Sequence, residues 1–252
     1  MENLLCFWSG MSTFAFTKSI FHMSGFSTML AFLEELRDNN NRQWFAEQKG
    51  RYQAIRAACF GEIERLVGAV SGFDSHIAGL APKNATYRIY RDIRFAADKS
   101  PFKTHFGIVL AKDGKKAKEG GYYLHLEPGN CALYGGVWFP EPPVLRFLRR
   151  NIYDNIDEFL EIVNNPVFRQ VFPKMVGDSL KKMPAGYPKD YPFGEIIKKK
   201  EFLVCRTYDD VFFENTDWME SAVADIRLLY PFVRYFNCAF EERREMEDGG
   251  SW

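Results

Sequence analysis

The stretch YRIYRDIRFAADKSPFKTHFG, residues 87–107, places Arg88, Arg91 and Arg94 within seven positions and follows them with Lys99 and Lys103. Guanidinium forks engage carboxylate or phosphate oxygens bidentately, and ammonium groups add compact positive charge. From Lys83 to Lys118 there are ten Lys or Arg against three Asp (Asp92, Asp98 and Asp113). The whole chain has 33 basic and 33 acidic residues, so this excess is local and no global field attracts polyanions. Further along, Tyr123, His125 and Glu127 alternate, as do Tyr134, Gly136 and Trp138. His125 and Glu127 are the acid–base candidates, His125 because its charge changes near neutral pH. The chemistry these residue types suggest is capture of a small ligand bearing phosphate or carboxylate, and whether catalysis follows is left open.

These roles depend on the elements beneath them. Alternate side chains of a strand face opposite ways. Read as a strand, residues 86–96 put Arg88, Asp92 and Arg94 on one face with Tyr90. Arg91 then joins the apolar row of Tyr87, Ile89, Ile93 and Phe95. A charge left unpaired on such a row costs roughly 3–5 kcal/mol, so Arg91 is expected in a structural ion pair with Glu34, Glu62 or Asp98. The expected ligand set is Arg88, Asp92, Arg94, Lys99, Lys103, Tyr123 and Trp138, with Asp92 orienting the arginines. Gly135-Gly136 in mid-strand predicts a bulge or a close backbone approach. The lysines of 112–118 read as a solvated loop able to act as a lid.

Around this region the periodicity is helical. Phe26-Ser27 predicts a staple and N-cap for a helix over 28–38, on the spacing of Met29, Leu30, Leu33 and Leu36. Asn39-Asn40-Asn41 breaks it, and a second helix runs over 42–70. Strands are predicted at 86–96, 104–111, 121–127 and 131–139, joined by turn-rich segments, with a fifth at 201–208. Helices return after Pro143, restart near Asn155, and resume after a Pro-rich stretch (183–192) and again after Thr216. Pro231 is expected to interrupt the last one. The reading is a single α+β domain over 25–246. It has one antiparallel sheet of about five strands, a β-meander core, packed with N-terminal and C-terminal helices.

The run Arg88-x-x-Arg91-Asp92-x-Arg94-Phe95-x-x-Asp98-Lys99-x-Pro101-Phe102-Lys103 resembles the signature of a bacterial and fungal family, domain of unknown function 2461. The likeness extends over about residues 26–240 through FLEELRDNNNRQWF, GGYYLHLEPG, GGVWFPEP and LKKMPAGYP. It implies an α+β domain of this size with no established activity. Relatives often carry Tyr where this chain has Phe102, so no phenolic role is carried over to that position.

Composition sets outer bounds. At 46% hydrophobic and 26% charged the chain is an ordinary globular one. The five cysteines are far apart and without a C-x-x-C pair, which points to reduced thiols and a cytoplasmic setting. No histidine pair has helical ligand spacing, so no metal and no cofactor are expected, although His105 and His125 can meet in space. No apolar run reaches the ~20 residues that span a bilayer, so no membrane partner is expected. Residues 1–24 lack the charged start and cleavage site of a signal peptide and read as an extension outside the domain. Three functions stay open: an anion-binding site, an Arg/Asp network that only stabilises the fold of an interaction protein, and nucleic-acid binding through the basic hairpin with stacking aromatics. The neutral net charge counts against the third.

Overall fold

The structure is a computed structural model that describes residues 24–249; the proposed extension, with Cys6 and His22, otherwise lies outside the described residues. The chain opens on α1 (Gly25–Asp38) and the long α2 (Arg42–Ser71). The cap of α1 sits three residues earlier than the sequence predicts. Ser27 donates its N–H to the Ser24 hydroxyl oxygen at 3.0 Å, and Ser24 in turn donates to the Phe213 carbonyl at 2.6 Å. Phe26 is fully buried against Phe213 and Trp218, a burial that pulls the start of the helix back past Ser27. The free N–H groups of Gly25 and Phe26 donate to the buried Glu62 of α2, at 2.8 and 3.0 Å. A carboxylate thus satisfies the helix start where water has no access.

After α3 (Pro82–Ala85) come β1 (Phe106–Leu110), β2 (Gly121–Leu126) and β3 (Cys131–Val137). Then follow α4 (Pro142–Asp154), α5 (Ile156–Val163), α6 (Pro166–Val171), β4 (Met175–Val176), α7 (Gly194–Ile197), β5 (Phe202–Tyr208) and α8 (Trp218–Gly249). The five strands form one antiparallel sheet in the order β1-β2-β3-β5-β4, an α+β fold. Four of the five expected strands form, the one at 201–208 among them as β5. The short β4 takes the far edge, and residues 86–96 form no strand.

That segment touches the sheet only through the isolated bridge Thr86↔Ile108, and its own loop through Tyr90↔Phe102. Beyond Arg91, whose N–H donates to the Pro101 carbonyl at 3.0 Å, its polar groups bond locally instead of to a neighbour. Asp92 accepts from the Arg94 N–H at 3.3 Å and guanidinium at 2.7 Å, and Asp98 accepts from the Ser100 N–H at 2.8 Å and hydroxyl at 2.6 Å. Such Asp turns compete directly with a ladder, and here they prevail. The alternation expected of a strand is therefore lost, and Phe95, assigned to the apolar row, is 96% exposed.

Pro231 also behaves differently. It lies inside an unbroken α8, whose Ile226, Leu229, Phe232, Val233 and Phe236 are buried in the core. Burying several such side chains at about 1.5–3 kcal/mol each outweighs the ~3 kcal/mol a mid-helix proline costs. One face of the sheet packs on this helix. Gly135 leaves space that Leu229 fills, since a Cβ there would stand 2.9 Å from its methyl carbons. Gly136 has φ 126°, and a Cβ would collide with the Phe202 carbonyl oxygen of the paired strand. The Gly-Gly pair is a close approach on both sides.

Gly136→Ala is expected to destabilise the protein by about 1–3 kcal/mol, through the forced backbone and the strand contact together. Urea denaturation reads this, and an unchanged midpoint would show that β3 and β5 can separate without cost.

Candidate functional site

Among the described residues no helix covers the middle of the sheet's second face, and β2 shows the consequence in its alternating burial, with Tyr122, Leu124 and Leu126 inward. The register aligns Val109 with Tyr123, Tyr123 with Tyr134, Tyr134 with Cys205, and Gly121 with Gly136. The rows of β2 and β3 singled out in the sequence therefore do share a face. Trp138, just past β3, stands edge-on to Tyr123 at 5.6 Å and to Tyr134 at 5.4 Å between ring centres. Opposite His125 on β1 is Gly107, where a Cβ would lie 2.5 Å from the Tyr123 hydroxyl oxygen. The absent side chain gives the phenol its place across β1.

Above this floor is a cleft of about 360 Å³, walled by Tyr87, Lys103, His105, Lys115, Tyr123, Tyr134 and Trp138. The Lys103 ammonium lies 5.1 Å from the centre of the Tyr87 ring. Lys103 is half-buried, and among the described residues no carboxylate lies within ion-pair distance of it. Burial, with a smaller push from the Arg88 charge, holds its pKa below the ordinary lysine value. Lys115 reaches the same cleft but spends its ammonium on the carbonyls of Lys83 and Thr86, at 2.8 and 2.9 Å. The 112–118 loop is thus pinned to α3 and is not a free lid. A second cavity, of about 610 Å³, adjoins the first, with Lys103 and His105 lining both.

Three side chains at the edge of the floor form a hydrogen-bonded line. The Tyr123 hydroxyl is 3.0 Å from His125 Nδ1, and His125 Nε2 is 3.2 Å from Glu127 Oε2, which also accepts from Asn130 at 2.7 Å. Burial pushes the Tyr123 phenol up to about 12, so it stays protonated and donates to Nδ1. A neutral imidazole then carries its proton on Nε2 and donates to Glu127. Burial alone would raise the Glu127 carboxyl, but the hydrogen bonds from Asn130 and His125 outweigh it and the net shift is downward. The line can move a proton between the cleft and Glu127 through the Tyr123 oxygen. His105 stacks obliquely on His125 at 5.0 Å and lines both cavities. Burial first, then the neighbouring His125 and Lys103, hold its pKa below 6.5. It is the neutral imidazole at the cavity junction. Among the described residues no three His, Cys, Asp or Glu side chains gather as a metal site would require.

None of the motif's arginines lines the cleft, and only Arg91 reaches the second cavity. Arg91 pairs with Asp98, whose carboxyl is held low first by the Ser100 hydroxyl and N–H and then by Arg91. Glu34 instead meets Arg37 at 3.3 Å, and Glu62 is committed to α1. Arg94 pairs with Asp92 at 2.7 Å in the exposed loop, and Lys99 donates to the Ile93 carbonyl at 3.1 Å. Arg88 lines a separate groove beside α2. Of the seven residues expected to share one ligand surface, Lys103, Tyr123 and Trp138 line the cleft, Asp92 lines the adjoining cavity, and Arg88, Arg94 and Lys99 line neither. Tyr87, His105 and Lys115 are the additions. His105 was legible, because it continues the outward row of Gly107 and Val109 from the residue just before β1.

A family model described as "Conserved hypothetical protein (DUF2461)" matches residues 28–235. The chain belongs to this family. The matched region of this DUF2461 member takes in the arginine loop, both cavities and all five strands. No curated protein and no solved structure matches the chain.

A histidine held below its ordinary value binds its proton less readily folded than unfolded, so stability must drop as pH falls through 6.5 and below. His105→Gln is expected to flatten that slope in urea denaturation taken across pH. An unchanged slope would mean that His105 titrates as freely in the fold as in the unfolded chain.

Proposed function

We propose that the cleft binds a small anionic ligand, a phosphate or carboxylate compound whose charge is met by Lys103 and whose body lies on Tyr123, Tyr134 and Trp138. The observation that carries this reading is Lys103 itself: half-buried, shared by both cavities, and with no carboxylate to offset it among the described residues. A bound anion would supply the missing partner. Arg88, Arg94 and Lys99 are not part of this proposal, since they line neither cavity. If the site is catalytic, proton transfer is the step it is equipped for, through the Tyr123–His125–Glu127 line or the neutral His105.

A second reading has its own support. The Arg91–Asp98 and Arg94–Asp92 pairs, with Lys99 on the Ile93 carbonyl, tie three of the signature's cations within the loop itself. This favours a shape-holding role for the loop, and it is compatible with a binding role for the cleft. Nucleic-acid binding gains nothing from these pairs, which engage Arg91 and Arg94. No described helix is long and apolar enough to cross a membrane.

Thermal unfolding with increasing inorganic phosphate, pyrophosphate or citrate tests the proposal. At a hundredfold excess over Kd the gain is about 2.7 kcal/mol, or about 5–10 °C for a chain of this size. Above Kd the rise should grow with the logarithm of the ligand concentration, and it should vanish in Lys103→Met, which keeps the apolar stem. An equal rise in Lys103→Met would exclude the cleft.

A further inference from the structure

Arg88 has no role in the cleft and, unlike Arg91 and Arg94, no carboxylate within ion-pair distance among the described residues. It lines a groove of about 280 Å³ between α2 and the segment 88–90. Lys49 and Arg56 stand on the same side of α2, seven residues apart and so two turns from one another. No Asp or Glu lines the groove. The nearby acids of the helical layer are engaged elsewhere: Glu35 with Arg51 at 2.6 Å, and Glu62 with the start of α1. Beneath the three cations the floor is apolar and closed by the buried Phe45, Tyr52 and Ile89. Tyr90 is half exposed at the edge, its ring held by Phe45 at 6.0 Å and Phe102 at 5.3 Å. Arg56 is steadied by stacking on Phe60, its guanidinium carbon 4.3 Å from the ring centre.

Three like charges over an aromatic floor, on a rigid helix and a bridged segment, form a receptor for one anionic group attached to an apolar or planar body. We propose that this groove is a second ligand site, separate from the cleft, that takes a phosphorylated small molecule. The phosphate is held by Arg88, Lys49 and Arg56, and the organic part lies on Tyr52 and Tyr90. Two guanidinium forks favour phosphate, whose several oxygens accept more bonds than a carboxylate offers. The backbone of 86–90 is the partition: Tyr87 lines the cleft, while Arg88 and Tyr90 line the groove.

The experiment is an amide chemical-shift titration of the full chain with phenyl phosphate, with phenol as the uncharged control. Saturable shifts are expected at Lys49, Gln53, Arg56 and Arg88–Tyr90, with none for phenol. Arg88→Ala and Lys49→Ala, both exposed and without side-chain partners among the described residues, should each weaken binding about tenfold. Lys103→Met should leave these shifts unchanged, so failure of the cleft and failure of the groove are separable. Arg169→Ala, an exposed cation on α6, should have no effect. If Arg169→Ala weakens binding as much as Arg88→Ala, the attraction is general charge and the proposal fails. It also fails if the groove amides do not move, or if Lys103→Met abolishes their shifts.

Discussion

Leu229 of α8 rests on Gly135, and one residue on, Gly136 accepts the Phe202 carbonyl at a distance no side chain would allow. These contacts seat a 32-residue helix on one face of the sheet and bring β5 alongside β3. With that face committed, period-two alternation assigns every other residue of β2 and β3 to the opposite side. The aromatic floor follows from this, since Tyr123 and Tyr134 are cross-strand partners only in that register. A slip of one residue would turn both phenols into the core and bring Tyr122, which donates to the buried Asp74 at 2.9 Å, out of it.

Several cations are tied into the frame by carboxylates or carbonyls: Arg91 on Asp98, Arg206 on the buried Asp225, Arg244 on Glu119, Lys115 on two carbonyls of the 83–86 segment. Lys103 and Arg88 have no carboxylate within ion-pair distance among the described residues, and each borders a cavity. A half-buried ammonium without a counter-ion is held at a cost, visible in the lowered pKa of Lys103.

The sequence reading failed most clearly at residues 86–96, where β-forming residues and a period-two pattern were both present. Strand formation needs a neighbour for the backbone, and beyond Arg91 the carboxylates of Asp92 and Asp98 offered nearer partners. Pro231 shows the converse case. A local rule against proline inside a helix was overridden because the residues on either side of it bury large apolar surface. The cap of α1 moved for the same reason, with Phe26 worth more in the core than as a staple.

The sequence by itself determined the α+β class, the helices up to Ser71, four of the five strands, and which residues of β2 and β3 share a face, because these rest on periodicities a few residues long. It also carried the family resemblance. Only the tertiary structure decided which cations meet which cavity. Lys103 and Tyr87 come together because Lys103 donates its N–H to the Ile89 carbonyl at 2.7 Å, while Thr86 is bridged to Ile108. Those contacts join segments far apart in the chain, and no local pattern encodes their register. One basic cluster in sequence thus becomes an ion-paired loop, a cleft lysine and a groove arginine, separated by the path of the backbone between them.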